Sequence, residues 1–102
     1  MQPTQFVVIH FAGPLWDHTL SAFEQVGLQR HVEHYRTLYR DGKIVMGGPF
    51  LDEAGGGMMI ATPGVSCAEL NAFAAADPTV GSGLLTFTVR PWLVGMKAGP
   101  AP

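Results

Sequence analysis

The stretch Phe6-Val7-Val8-Ile9-His10-Phe11 restricts the fold more than any other part of the sequence. It is short, β-branched and aromatic, and Gly13-Pro14 punctuates its end, so it reads as a strand. Phe6 and Val8 fall on one side of that strand, and Val7, Ile9 and Phe11 on the other. A strand with a solvated face alternates apolar with polar residues, whereas this one is apolar at both parities and needs cover on both sides. A chain of 102 residues, 47% of them hydrophobic, makes one small domain and can provide one cover from its own helices. The most economical second cover is another copy of the chain, sheet against sheet, in a two-fold homodimer.

The remaining elements follow in a definite order. From about Glu24 to Arg40, Leu28, Val32, Tyr35, Leu38 and Tyr39 recur at the spacing of one helical face, and Asp41-Gly42 supplies the stop. Ile44 to Met46 reads as a second strand halting at Gly47-Gly48-Pro49, and Met58 to Ala61 as a third, joined to it by a glycine-rich turn and pairing antiparallel. Ser66 and Glu69 have capping-box spacing for a second helix, which carries Leu70, Phe73 and Ala74 and runs to Asp77-Pro78. Leu84 to Arg90 alternates as a last strand before Pro91. The order β-α-β-β-α-β is that of a ferredoxin-like α+β fold, a four-stranded antiparallel sheet with two helices on one face. The domain is expected over residues 1–94, with a Gly/Pro-rich tail over 95–102.

A formal charge of -2, with six Lys plus Arg and no basic run, gives no footprint for nucleic acid or an anionic membrane. The start of the chain has no basic region leading into a long apolar stretch, and no segment approaches the roughly 20 apolar residues of a membrane span. With Cys67 as the single cysteine, a cytoplasmic setting is expected.

His31 lies three residues after Leu28 and four before Tyr35, so it sits on the inward or boundary side of the first helix. Asp77, at the end of the second helix, needs a donor or cation against the unfavourable helix terminus. Were the helices side by side, the carboxylate would fix the histidine tautomer and leave its other nitrogen as acid or base. Spacing alone favours the plainer account, a packing histidine and a turn-forming aspartate. His31 and His34 form an H-x-x-H pair to which Glu33 or Asp77 could be added, but no second pair completes a ligand set and no metal is expected. His10 and His18 read as surface or packing residues, and Cys67 as a small buried hydrophobe. Gly55-Gly56-Gly57 opens no helix and reads as a turn instead of a phosphate loop. Met46, Met58, Met59, Phe73, Phe87 and Trp92 read as core or interface residues, with Trp92 bordering a pocket.

Taken in order, His31, Gly42-Lys43-Ile44, Gly48-Pro49, Asp77-Pro78, Gly83 and Arg90-Pro91-Trp92 resemble the YCII-related family of small dimeric α/β-barrel proteins over nearly the whole chain. The resemblance implies a His31–Asp77 catalytic dyad, reversing the plainer account. It also implies a pocket between helices and sheet, with Gly48, Pro49 and Phe50 near its mouth. The chain departs from many relatives at Leu28, where they carry an arginine. The implied function is acid/base proton transfer, of lyase or isomerase type, on a small cyclic or aromatic molecule without a cofactor. The alternatives are a non-catalytic module binding a metabolite or a partner in the same pocket, and a cofactor-independent oxygenase-like activity.

Overall fold

The computed structural model describes residues 4–99; the ends of the expected domain and tail, residues 1–3 and 100–102, lie outside them. The elements are β1 (Thr4–Ala12), a 3-10 turn (Ala22–Glu24), α1 (Leu28–Arg40), β2 (Ile44–Pro49), β3 (Gly57–Ala61), α2 (Cys67–Ala75), α3 (Pro78–Ser82) and β4 (Leu85–Leu93). The four strands form an antiparallel sheet in the order β2-β3-β1-β4, the ferredoxin-like arrangement with one short helix, α3, added before the last strand.

β1 is central, paired with β4 from Thr4 to Ala12 and with β3 from Val7 to His10. Its even-numbered residues face the helices. Val8 is buried there with Tyr35 and Leu38 of α1, Ile44, Met59, Ala61, and Leu70 and Ala74 of α2, with Phe6, Phe87 and Val89 packed around them. A second cluster of Trp16, Ala22, Leu84 and Leu85 closes the end of the sheet near the start of α1. The register places Val7 and Ile9 of β1, Met58 and Ile60 of β3 and Met46 of β2 together on the face without helices. Burying apolar area of this kind is worth roughly 25 cal/mol per Å², so both helix-side clusters contribute directly to stability.

Several element ends differ from the sequence expectation, each for a local reason. α1 begins at Leu28 instead of about Glu24, because Gly27 is left-handed (φ 92°) and the buried Gln25 side chain ties the preceding loop through the carbonyls of Asp17 and Leu20. β2 continues through Gly47-Gly48-Pro49, and β4 through Pro91. Both are edge strands, where a missing N–H costs no interior ladder bond. The Ser66–Glu69 capping box is half made: Ser66 accepts from the Glu69 N–H, while the Glu69 carboxylate pairs with Lys43. That pairing holds the lysine ammonium above its ordinary range. Cys67 is half-buried, and its sulfur lies against the Asn71 amide.

Backbone approach at the β2–β3 edge explains one glycine. A Cβ on Gly57 would lie 2.6 Å from the Gly48 carbonyl oxygen, a backbone atom fixed by strand pairing, whereas a Cβ on Gly48 meets nothing within 4 Å. Gly57→Ala is therefore expected to destabilise the protein by about 1–3 kcal/mol, while Gly48→Ala leaves the melting temperature nearly unchanged. Thermal unfolding of the two variants beside the wild type checks this.

Candidate active site

Asp77 is not the last residue of α2, as the sequence suggested, but the N-cap of α3. It holds the extended conformation favoured before proline, Pro78 occupies the first helical position, and Oδ1 accepts from the Thr79 backbone N–H at 2.8 Å and from the Thr79 hydroxyl at 2.7 Å. One carboxylate oxygen is thereby committed to the helix start, which aims the other. Oδ2 meets Nδ1 of His31, on the first turn of α1, at 2.5 Å.

The electrostatics favour an ionised aspartate. Burial works against the charge of Asp77, which is 1% exposed, but donors from His31 and Thr79 outweigh burial and hold the carboxyl at about 2. A carboxylate accepting at Nδ1 fixes the proton on that nitrogen and leaves Nε2 as the basic site; among the described residues Nε2 of His31 makes no hydrogen bond.

Two residues that the sequence assigned to packing complete the cluster. His10 is 1% exposed, its Nε2 lies 2.8 Å from the Tyr35 hydroxyl, and its ring stands edge-on to His31 with centroids 4.8 Å apart. Tyr35 is also 5.0 Å from the His31 ring, so three rings brace one another. Burial, and then the neighbouring His31, push His10 down to about 4, against the opposing influence of Asp77 and the Thr86 backbone. That backbone favours the proton electrostatically but does not reach hydrogen-bonding geometry, and His10 Nδ1 has no partner. Burial, with the charge of Asp77 adding to it, raises the Tyr35 hydroxyl well above its ordinary range and keeps it neutral. The only sequence signal for this role was one polar residue following Phe6 and Val8 at the even parity of the strand. The ligating atoms of His10, His31 and Asp77 lie within 4.8 Å of one another. The H-x-x-H pair does not converge in the same way: His34 stacks on Phe73, centroids 4.0 Å apart, and its Nε2–H donates to the Phe73 carbonyl.

His31 opens onto a largely apolar cleft of about 590 Å³ between α1 and the β2–β3 edge. Asp77 does not line it, so a ligand there meets the histidine and not the carboxylate. Gly48 and Pro49 form part of the opposite wall. The cleft wraps round the β2 edge to Met46 and Met58, which the register assigns to the helix-free face. Phe50 lines a separate depression of about 500 Å³ with His10 and His18. Trp92 pairs with Gln5 on the parity facing away from the helices and lines neither cavity. The structure thus brings His31, Asp77, Gly48 and Pro49 to one place and leaves Phe50 and Trp92 apart.

No family model and no curated protein matches the chain. Among solved structures it is similar to 5-chloro-2-hydroxyhydroquinone dehydrochlorinase (TftG) from Burkholderia phenoliruptrix AC1100, in complex with 2,5-dihydroxybenzoquinone. The TM-score is 0.61 at 24% sequence identity, over 89% of this chain and 95% of that one. At that identity the likeness shows a shared ferredoxin-like α+β fold.

The buried histidine has a consequence for acid stability. In the unfolded chain His10 takes up a proton near 6.5, but in the folded protein only at about 4, so between these values the unfolded state binds more protons. Stability is expected to fall by roughly 3 kcal/mol as pH drops through this window. Asp77, depressed from 3.8 to about 2, adds its own loss below the ordinary value. Melting temperatures of wild type and His10→Gln between pH 7 and 4 check this, the variant having the flatter profile.

Proposed function

We propose that this protein is a small acid/base enzyme, of lyase or isomerase type, acting on a small cyclic or aromatic molecule. The observation that carries the proposal is the 2.5 Å contact between His31 Nδ1 and a buried carboxylate, behind a cleft that His31 itself lines. His31 Nε2 takes a proton from the bound molecule, and the Asp77 charge stabilises the imidazolium so formed. The same nitrogen then returns the proton to the product or releases it to solvent. Gly48 and Pro49 line the cleft that holds the ring. The reaction as written uses no cofactor. The dehydrochlorinase of like fold, which holds a dihydroxybenzoquinone, supports a ring-shaped ligand.

We assign the chain to the YCII-related proteins on the ordered landmarks from His31 to Trp92, and its helix-free face to a homodimer. Ile9, Ile60, Met46 and Met58 are the residues a second copy would cover, with Trp92 at the rim.

On a panel of hydroxylated ring compounds, His31→Ala should abolish turnover while leaving most ligand affinity, and Asp77→Asn should lower kcat about a hundredfold. Affinity changes without any turnover in the wild type would favour a binding module, and oxygen consumption would favour an oxygenase. In sedimentation velocity the wild type is expected as a dimer and Ile9→Glu as a monomer.

A further inference from the structure

Six residues of α1, namely Leu28, His31, Val32, Tyr35, Arg36 and Tyr39, line the cleft as one stripe at i, i+3, i+4, i+7, i+8 and i+11. Arg36 is the one permanently charged side chain in that lining. Among the described residues no aspartate or glutamate lines the cleft, and Arg36 forms no ion pair although Glu33 lies one turn before it. Arg30 and Arg40, on the same helix, do not reach the cleft. The chain as a whole carries a formal charge of -2, yet its largely apolar cleft presents a lone cation, and Asp77, which pairs with His31, is buried and does not line it. The Arg36 side chain is exposed at the outer edge of the cleft, and with no carboxylate in the lining it is open to a negatively charged ligand held against the apolar walls.

We propose that Arg36 determines specificity by binding the ionised oxygen of an acidic, hydroxylated ring, so that the enzyme's ligands are anionic and planar rather than neutral. This rests on the acid/base function proposed above and supplies its missing partner. When His31 removes a proton from a ring carbon, the electron pair of the broken C–H bond delocalises onto a ring oxygen, where Arg36 meets the charge. The proton then returns to another ring atom in an isomerisation. In an elimination, the leaving group departs with the electron pair instead. Neither path needs an oxidant or reductant.

Isothermal titration with two flat probes of similar size tests the proposal: 2,5-dihydroxybenzoquinone, ionised at neutral pH, and hydroquinone, which is not. The wild type should bind the anion about tenfold more tightly, with a preference that fades as salt is raised. Arg36→Gln should erase the preference, leave hydroquinone binding within about twofold and preserve the melting temperature, while Arg36→Lys should restore part of it. An anion that fails to bind, or binds Arg36→Gln as it binds the wild type, overturns the proposal. His31→Ala separates the two levels: if it keeps the Arg36-dependent preference and no ring compound is turned over by the wild type, anion recognition stands and the acid/base function fails.

Discussion

Everything in this fold is hung on β1. It is paired along its whole length with β4 on one edge and with β3 on the other, and it presents apolar side chains to both faces of the sheet. Its helix-side residues seat the main core, and the last polar one of that set, His10, is what α1 packs over when it brings His31 into place. Because side chains alternate at a period of two, a one-residue slip of β1 would send His10 to the opposite face and replace it with Ile9 or Phe11. The register of the sheet and the presence of the ring cluster are thus one constraint seen at two scales.

The dyad itself depends on a division of labour within one carboxylate. Oδ1 of Asp77 starts a five-residue helix and Oδ2 orients a histidine, so helix capping fixes a side chain that would otherwise have several rotamers. A cap of this kind typically contributes about 1 kcal/mol, which is modest beside the core, but it leaves little freedom at the one atom where orientation matters. His10 and Tyr35 brace the other side of the imidazole with neutral groups, so among the described residues the aspartate is the full charge packed against it from behind.

Much of this was legible in the residues. The β-branched and aromatic run of β1, the alternation in β4, the α1 stripe and the glycine punctuation gave the element order, because composition, period and turn chemistry are local properties. The course of β2 and β4 through proline was not, since whether a strand is at an edge depends on pairings that no local window contains. Asp77-Pro78-Thr79 carried a readable N-cap signal, aspartate followed by proline, but it was masked by the preceding apolar helix and taken for that helix's end. The pairing of His31 with Asp77, 46 positions apart, came from likeness to a family and not from spacing. His10 was missed because a single polar residue in a strand says nothing about what a distant helix will set against it.

The glycines in the cleft wall are not equivalent. At Gly47, Gly56 and Gly57 a Cβ would collide with atoms of the neighbouring strands or side chains, and the fold requires their absence. At Gly48 nothing stands in the way. One wall position of the cleft is therefore free to drift without threatening the stability margin on which a small protein depends. By register Gly48 shares the helix-free side with Met58, so descendants of this sequence could reshape that side by a single substitution, with the wall before His31, the dyad and the helix cap inherited intact.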